Sequence, residues 1–471
     1  MQRVRYILVL LIVTSWPTMA MPRLIPLAPN PLLGDDHTRI IRTRLDAVID
    51  LPWDVLAASG WDLAAIAPAN IQVWRQGVQI PAQVTAVGVS FLADANTSPF
   101  SMEAAYWIGI SDQPGLRTFL PPDLTTPLTW EPDVIYQSVV ATARGDRWFA
   151  GELRTMGTPI MATLPLPTAL PIGSHIDLAL TPVDLRSGHQ IGVTANGSSL
   201  GNVTWDDSSS GPRHVTLTTR AALAAGSVTL ALALTSNGAD VVLLDSLTLP
   251  EVAVSRPHMT PALEAPRPTP ARTGADQLII AHPDLIPALD PLIAAKQQRG
   301  RSVAVADVLA IYDAYSWGER DPDAIRAYLR AVVAGPHPPT SILLVGATTT
   351  WLRVGPGDTD TALIPPYLLV SDAVYGEIAC DTCYTRLAAA DVRDQPRPDL
   401  PIGRLSARTL AEAQTMIAKT IAALSPPSGA WRSRMLLVAD NDRDAAGSPD
   451  PAGPFSPLLS AMVTGLPTMQ A

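Results

Sequence analysis

The sequence DQLIIA at residues 276–281 is followed by SILLVGA at 341–347 and DLPIGRL at 399–405, and these three apolar runs decide the fold class. Each is short enough for a buried strand and is bounded by turn-forming or small residues. Residues 283–299, after the first run, have helical spacing and end at Gly300, a residue favoured just past a helix C-terminus. Alternating strands and helices predict an α/β fold with a parallel sheet.

Further elements of the C-terminal half follow the same alternation. Asp321 and Pro322 have the residue types preferred at an N-cap and at the first helical position, so they predict the start of a helix. The remaining predicted elements are a strand at 301–308, a helix over 321–334, a helix over 407–424, the strand MLLVAD at 435–440 and a helix-like piece at 455–463.

The N-terminal half instead has the period of β-strands. Short alternating apolar runs are separated by turn residues, including the hairpin dipeptides Asn196-Gly197 and Asn237-Gly238. The predicted divisions are a signal peptide at 1–20, a β-rich region at 21–145, a β-sandwich at 146–250, a proline-rich linker at 251–275 and an α/β domain at 276–471. The chain is thus predicted to be multi-domain, with N-terminal all-β modules of sandwich or jelly-roll type followed by the α/β domain.

Four tryptophans of the β-rich region allow two interpretations. Trp53, Trp61, Trp74 and Trp107 are suited to stacking on sugars, but tryptophan is more often a core residue in a β-domain. We therefore expect these side chains to be packed in a core. The sandwich is likewise expected to be a spacer, because nothing in its sequence marks a ligand site.

Composition excludes several classes of protein. The 471 residues are 47% hydrophobic and 16% charged, which is typical of a folded chain with sizeable cores. The formal net charge of −10 argues against a nucleic-acid partner, because nucleic-acid binders usually carry a basic patch. The 2 cysteines exclude a disulfide-rich scaffold and a four-cysteine zinc site.

The N-terminus predicts export from the cytoplasm. Arg3 and Arg5 precede an apolar run that ends near Trp16, and small residues allow cleavage after Ala20. The run is shorter than the about 20 residues that span a bilayer, and no other segment has transmembrane character. We therefore predict a secreted or extracytoplasmic protein.

The C-terminal half resembles the gingipain-type cysteine peptidases, the C25 group. The matching stretches occur in family order and are DQLIIAHPDL, KQQRGRSVAVADVLAIYDAYSWGERDPDAIRAYLR, SILLVGA, SDAVYGEIACDTCY, PDLPIGRLSARTLAEAQTMIAKTI and WRSRMLLVADND. The resemblance implies a caspase-like α/β domain that hydrolyses peptide bonds in a protein or peptide substrate. Residues 72–84 and 187–205 resemble, less closely, the prodomain and jelly-roll modules of such peptidases.

The family uses a thiol activated by an imidazole, because a thiol with a pKa near 8.5 is mostly protonated at neutral pH. Its histidine lies in a Gly-His-Gly turn and its cysteine ends a later strand, both beyond the VADND strand. The sequence has no Gly-His-Gly and no histidine after His337. We therefore assign no catalytic and no cofactor-binding residue, and we expect an incomplete peptidase domain that is inactive by itself.

Cys380 and Cys383 form a Cys-x-x-Cys pair whose state the sequence leaves open. A redox motif, half of a metal site, a local disulfide and two free thiols are all compatible with the spacing. We favour a local disulfide or free thiols over a relocated dyad with His282 or His337, because neither histidine lies in a recognisable motif.

The acidic run DNDRD at 440–444 raises the possibility of a calcium site, because Ca²⁺ prefers carboxylate oxygens. The run fails the EF-hand pattern at Ala445 and Pro451, but gingipain-type enzymes bind structural calcium, so a looser site stays open. Three further acidic residues lie in loops at strand ends, and a structural role in capping or orienting is as compatible with them as a role in the chemistry: Asp372, Asp381 and Asp399.

Two functional hypotheses follow from these observations. The first is a secreted gingipain-like cysteine endopeptidase. The alternative is a non-catalytic secreted protein whose β-modules bind a surface glycan or a protein partner. The sequence leaves substrate specificity and oligomeric state open.

Overall fold

The computed structural model describes residues 29–96, 98–140, 147–183, 188–206, 211–272, 275–349, 362–372 and 376–424. Beyond 424 it describes 429, 434, 436–440, 442–443, 447–449, 453 and 455–464. The predicted signal peptide at 1–20 lies outside these ranges. The chain divides into two compact units, Met1–Ile417 and Ala418–Ala471, each described by itself.

The chain forms strands along most of its described length and α-helices mainly in its C-terminal half. The strands are β1 (Arg39–Thr43), β2 (Ala47–Pro52), β3 (Ile71–Arg75), β4 (Val78–Ile80), β5 (Ala82–Val84), β6 (Gly88–Ala93), β7 (Ala104–Ile110), β8 (Thr125–Trp130), β9 (Ile135–Tyr136), β10 (Trp148–Phe149), β11 (Gly151–Arg154), β12 (Ile160–Leu166), β13 (His175–Pro182), β14 (His189–Ala195), β15 (Ser198–Trp205), β16 (Arg213–Thr218), β17 (Gly226–Leu234), β18 (Val241–Ser255), β19 (His258–Met259), β20 (Leu263–Glu264), β21 (Gln277–Ala281), β22 (Val303–Asp307), β23 (Ser341–Val345), β24 (Leu368–Asp372), β25 (Gly376–Ala379) and β26 (Ile402–Leu405). The helices are α1 (Trp53–Ala58), α2 (Asp290–Gln297), α3 (Val308–Tyr315), α4 (Pro322–Val333), α5 (Leu410–Leu424) and α6 (Phe455–Thr464).

The first β-region consists of two sheets that enclose one core. Their strand orders are β20-β1-β7-β3-β4 and β19-β2-β6-β5. Apolar side chains of both sheets, among them Ile41, Phe91 and Tyr106, are buried together. Trp61 belongs to this core and Trp53 packs against it, while Trp74 packs beside the buried Trp107. The expectation that these tryptophans are packed is confirmed.

The proline-rich segment contributes two short strands to the same region. β19 pairs with β2 in parallel, and β20 pairs with β1 in antiparallel orientation. Met259 and Leu263 pack against the core of the first β-region. The segment expected as a tether therefore also adds an edge strand to each of the two sheets. At an edge, the missing N–H groups of prolines do not interrupt the hydrogen bonds between strands.

The second β-region is a sandwich around its own core. One sheet has the order β11-β18-β13-β16 with β8 also paired to β18, and the other has the order β12-β17-β14-β15. The predicted hairpin at Asn196-Gly197 joins β14 and β15, with φ values of 47° and 85°. The Asn237-Gly238 turn instead joins strands of different sheets, because β17 and β18 do not pair. The dipeptide marks the turn correctly but not its partner strands.

The C-terminal half contains the predicted parallel sheet. Its order is β22-β21-β23-β26, and all three pairings are parallel. Leu278, Ile280 and Leu344 of the sheet are buried with Ile325 and Leu329 of α4. The predicted fold class, all-β modules followed by an α/β domain, is confirmed.

Local signals placed most helix ends correctly. The Asp321 side chain accepts a hydrogen bond from the Asp323 amide, and Pro322 is the first residue of α4. Gly300 has a φ of 73° just after α2, as expected of a C-terminal glycine. Residues 283–288 form a 3-10 helix before α2 begins, because Pro287 interrupts a continuous α-helix.

The second unit departs from one prediction. The described part of MLLVAD, residues 436–440, has no regular secondary structure, and Leu436 is 87% exposed. A strand needs a paired neighbour, and none of the described strands pairs with this segment. The helix expected at 455–463 is present as α6. Among the described residues, no helix combines the length and apolar character needed to cross a bilayer.

Candidate functional site at the carboxyl edge of the parallel sheet

The strand order reverses between β21 and β23, because the chain adds β22 on one side of β21 and β23 on the other. In open α/β sheets such a reversal leaves a crevice at the carboxyl ends of the strands, where ligands bind. Here His282, Asp307 and Gly346 follow or end three adjacent strands, and Arg404 lies near the end of the fourth. This carboxyl edge is the candidate site.

His282 is the one histidine that the described fold places at this edge. Its side chain is mostly buried, and Nδ1 lies 3.4 Å from Asp284 Oδ2. Burial lowers the pKa of His282, while the charge of Asp284 acts in the opposite direction. The imidazole is therefore held toward its neutral form, which is able to accept a proton.

Two arginines bridge this edge to neighbouring segments. Arg267 Nε lies 3.5 Å from Asp307 Oδ2, and the Asp307 carboxylate also caps α3 by accepting the Leu309 amide. Arg320 Nη1 donates a 2.7 Å hydrogen bond to the carbonyl of Ala362. Both contacts order backbone around the crevice.

Arg404 forms the best-connected polar cluster of the edge. Its guanidinium makes two hydrogen bonds to the Asp381 carboxylate, at 2.8 and 2.7 Å. It also donates to the carbonyls of Gly346 and Ile364, each at 3.0 Å. Burial lowers the pKa of Arg404, but the Asp381 carboxylate and nearby groups raise it above its ordinary value. The guanidinium is thus a fixed, fully charged tie between four segments, which we call the Arg404 clamp.

Cys380 and Cys383 are joined by a disulfide, with Cα atoms 5.3 Å apart. This decides between the open alternatives in favour of the local disulfide. No free cysteine remains, so neither sulfur is available as a nucleophile in this state.

The two histidines considered as dyad partners lie at opposite ends of the sheet. His282 follows β21 at the carboxyl edge, whereas His337 is exposed in the loop that enters β23 at the amino edge. A relocated Cys–His dyad would need one histidine beside Cys380 or Cys383. The described residues show no hydrogen bond between either histidine and these cysteines.

The acidic candidates are structural where the chain is described. Asp399 accepts the amides of Leu387 and Ala388, so it fixes a loop. Asp381 belongs to the Arg404 clamp, and the side chain of Asp372 lies outside the described residues. Of the DNDRD run, residues 441 and 444 are also outside, and the described part of the chain contains no group of three His, Cys, Asp or Glu residues able to hold a metal.

The first β-region packs against the α/β half through the loop Ser316–Glu319 that follows α3. Ile40, Trp107 and Trp74 are cross-strand neighbours on β1, β7 and β3, and Trp317 joins them on the outer face of this sheet. The Trp107 indole donates a 2.7 Å hydrogen bond to the Trp317 carbonyl. We call this set the Trp317 contact.

Two buried carboxyls complete the Trp317 contact. Glu319 accepts hydrogen bonds from the Ala105 amide and from the Asn96 side chain. Asp313 lies 3.5 Å from Arg42 and accepts the Arg267 amide at 3.0 Å. Burial raises the pKa of both carboxyls, against the opposing effect of their hydrogen bonds and nearby arginines.

A second contact joins the short β9–β10 hairpin to the β24–β25 hairpin. The Tyr136 hydroxyl donates to Glu377, and Arg147 Nε lies 3.5 Å from the same carboxylate. Burial and the bond to Glu377 raise the pKa of Tyr136 above its ordinary value. Residues upstream of the α/β half therefore pack against a hairpin that lies between Gly346 and Arg404 in the chain.

Sequence reasoning missed the Arg404 clamp and the Trp317 contact. Arg404 stands in the apolar strand IGRL, and a charge there is a signal that a buried partner exists. The partner, Asp381, is 23 residues away in sequence, so the pairing itself could not be inferred. The Trp317 loop offers only Trp-Gly as a signal, and its partners lie more than 200 residues upstream.

Comparisons with known proteins agree with this architecture. Residues 270–467 match the family model described as Peptidase family C25. Among solved structures the chain is similar to dimeric latent PorU from Porphyromonas gingivalis, with 15% sequence identity and a TM-score of 0.54 over 84% of this chain. The chain spans 50% of that PorU chain. A likeness at this identity shows the shared fold alone.

The complex of RgpB pro- and mature domains, also from P. gingivalis, is a second similar structure. It shows 20% identity over 31% of this chain and 28% of that chain, with a TM-score of 0.22. No curated protein matches the chain. Residues 270–467, which contain the parallel sheet, the Arg404 clamp and the disulfide, are therefore the part of the chain that is similar to peptidase family C25.

Proposed function

We propose that the protein is a secreted, gingipain-like cysteine endopeptidase that hydrolyses peptide bonds by attack of a thiolate paired with an imidazole. The observation that carries the proposal is the family match over residues 270–467. No residue of the described chain is assigned to the thiolate–imidazole pair, because both cysteines are bonded to each other.

Two properties of the chain support a location outside the cytoplasm. The first is the charged and apolar N-terminal run that ends in small residues near Ala20. The second is the Cys380–Cys383 disulfide, because disulfides persist mainly in oxidising compartments. The substrate class we propose is protein or peptide, and the carboxyl edge of the sheet is the proposed binding side.

Hydrolysis is tested on the product of the whole gene with internally quenched peptide substrates. We expect cleavage that iodoacetamide abolishes without prior reduction, while an inhibitor of serine peptidases has no effect. Mass spectrometry should find Cys380 and Cys383 unlabelled, because they are bonded to each other. Lack of any thiol-sensitive cleavage would contradict the proposal and favour a β-module that binds a glycan or protein partner, and a label on Cys380 or Cys383 would overturn the site assignment.

Secretion is tested separately in cells of the source organism. Antibody detection should find the protein outside the cytoplasm, and N-terminal sequencing should begin at Met21. A chain that retains Met1 and stays in the cytoplasmic fraction would contradict the proposed localisation.

A further inference from the structure

Asp381 lies inside the small covalent ring that the Cys380–Cys383 disulfide closes. It is the first residue of the 3-10 helix Asp381–Thr385, and the Cys383 amide donates a 3.0 Å hydrogen bond to the Cys380 carbonyl. The ring thus holds a tight turn, and the direction of the Asp381 side chain depends on that turn.

The Asp381 carboxylate is the anionic partner of the Arg404 clamp. The Arg404 side chain is only 5% exposed, whereas that of Asp381 is 35% exposed. A buried guanidinium needs a partner for its charge, and the two short hydrogen bonds to Asp381 supply it. The clamp therefore depends on the position of Asp381.

The clamp in turn orders the backbone at the carboxyl edge. Arg404 bonds the carbonyls of Gly346, just after β23, and of Ile364. The Leu363 amide bonds the Ala347 carbonyl at 2.9 Å, and the Tyr384 hydroxyl, on the same 3-10 helix, bonds the Pro365 carbonyl at 2.6 Å. Residues 362–367 are thus tied to the sheet directly at Ala347 and, further along the segment, through groups next to the disulfide.

We infer that the Cys380–Cys383 disulfide is a redox latch that controls the order of residues 362–372 at the carboxyl edge of the sheet through Asp381 and Arg404. Oxidised, the pair holds the turn and keeps Asp381 on Arg404. Reduced, the two sulfur atoms separate to van der Waals contact inside a packed site, the turn shifts, and Arg404 loses its bidentate partner.

The chemistry of opening is a thiol–disulfide exchange with a small dithiol. Cys380 is 9% exposed and Cys383 is fully buried, so the thiolate attacks the Cys380 sulfur and Cys383 leaves as a thiolate. The second thiol of the dithiol then attacks the sulfur atom of the dithiol that is bonded to Cys380. This step closes the disulfide of the reagent and releases the Cys380 thiolate. The protein gains two thiols, and the dithiol becomes a disulfide.

The latch does not require peptidase activity, and the experiment that tests the latch does not measure peptidase activity. Should the proposed function hold, the latch would regulate the side of the sheet at which that function is placed. Failure of the latch would leave the hydrolysis test unaffected, and the two outcomes can be told apart.

The test is hydrogen exchange of the whole 471-residue chain, followed by mass spectrometry, before and after treatment with dithiothreitol. We expect amides of residues 362–372 to exchange about tenfold faster or more after reduction, with strands β21 and β14 unchanged. The variant C380S/C383S should exchange like the reduced wild type and should not respond to dithiothreitol. D381N, which keeps the disulfide, should show the fast exchange in both states.

D391N is the matched control, because Asp391 also pairs with an arginine, Arg393, on the same loop but at the surface. It should behave like the wild type in both states. Unchanged exchange at 362–372 after complete reduction would overturn the latch, as would a D381N chain that still responds to dithiothreitol. Equal acceleration throughout the chain would also overturn it, because reduction would then unfold the protein rather than open one segment. Hydrogen exchange of the wild type before and after reduction tests the latch even where C380S/C383S fails to fold.

Discussion

Arg404 is a charged residue in an otherwise apolar edge strand, and all sides of its guanidinium form hydrogen bonds. Asp381 neutralises it, and the backbone carbonyls of Gly346, Ile364 and Pro365 accept its remaining N–H groups. Burying a charge is unfavourable unless it is paired and hydrogen-bonded, and here both conditions are met. The residue therefore stabilises the fold only as long as its partners stay in place.

Replacing Arg404 by methionine should destabilise the α/β half by about 2–3 kcal/mol, because the carbonyls of Gly346 and Ile364 and the Asp381 carboxylate lose their donor. The control R393M removes the exposed pair with Asp391 and should change stability by less than about 0.5 kcal/mol. Urea unfolding of both variants measures the difference. Equal losses would contradict the structural role assigned to the clamp.

Asp321 should make stability depend on pH. Burial, followed by the charge of Asp323, raises the pKa of Asp321 from 3.8 to about 7. A carboxyl whose pKa is higher in the folded state stabilises the fold while protonated, so its contribution is complete below about pH 4 and is lost as the pH rises through about 7.

The variant D321N keeps the N-cap acceptor but cannot ionise. The difference in free energy of unfolding between the variant and the wild type should shift in favour of the variant by only about 1 kcal/mol from about pH 5 to about pH 8, because Asp321 retains some solvent access. Unfolding curves at the two pH values measure this gain, and D290N, at an exposed position, should show none. An identical pH dependence for D321N and the wild type would contradict the prediction.

At the scale of elements, the loop Ser316–Glu319 shows how a turn can become a contact surface. Trp317 and Gly318 have φ values of 57° and 79°, so the chain reverses within two residues after α3. The reversal brings the Trp317 ring to 5.9 Å from Trp107, centroid to centroid. Gly318 fits because it lacks a Cβ, which would lie 3.2 Å from the Ala105 side chain.

Gly318 and Gly300 allow two effects of adding a methyl group to be measured separately, namely backbone strain and crowding against a neighbouring side chain. Both have positive φ, but a Cβ on Gly300 would meet nothing within 4 Å. We expect G300A to lose about 1 kcal/mol from backbone strain alone, and G318A to lose about 2 kcal/mol because crowding against Ala105 adds to it. Thermal unfolding of both variants tests the difference, and equal losses would show that the Ala105 contact is not tight.

At the scale of the molecule, the first β-region and the α/β half share one compact unit. The Trp317 contact joins them by apolar packing and by hydrogen bonds to two buried carboxyls. The proline-rich segment joins them covalently and adds β19 and β20 to the upstream sheets. Association should therefore survive the loss of the covalent connection.

A protease site inserted between Pro268 and Thr269, both exposed, allows the connection to be cut in the folded protein. The two fragments should co-elute on size exclusion after cleavage. E319A leaves the Ala105 amide and the Asn96 side chain without their acceptor and should weaken the association by about tenfold or more, whereas D290A, at an exposed site, should not. Fragments that separate at once in the cleaved parent protein would contradict the role of the Trp317 contact.

Much of the secondary structure follows from local sequence. The runs at 277–281 and 341–345 are strands, Asp321 caps its helix, and Gly300 ends another, all as their residue types predict. These features depend on side-chain periodicity and on backbone preferences of single residues, which act over a few positions. The MLLVAD segment shows the limit, because a strand exists only with a paired neighbour.

The sequence by itself therefore determined the alternation of elements, the parallel sheet, the β-rich N-terminal half and the resemblance to family C25. Tertiary structure alone decided that Asp381 pairs with Arg404, that Trp317 meets Trp107 and that Asn237-Gly238 leads from one sheet to the other. The physical reason is the distance along the chain over which each kind of interaction acts. Helix and strand signals are local, whereas the partner of a buried charge or ring depends on how distant segments are brought together by packing of the whole chain.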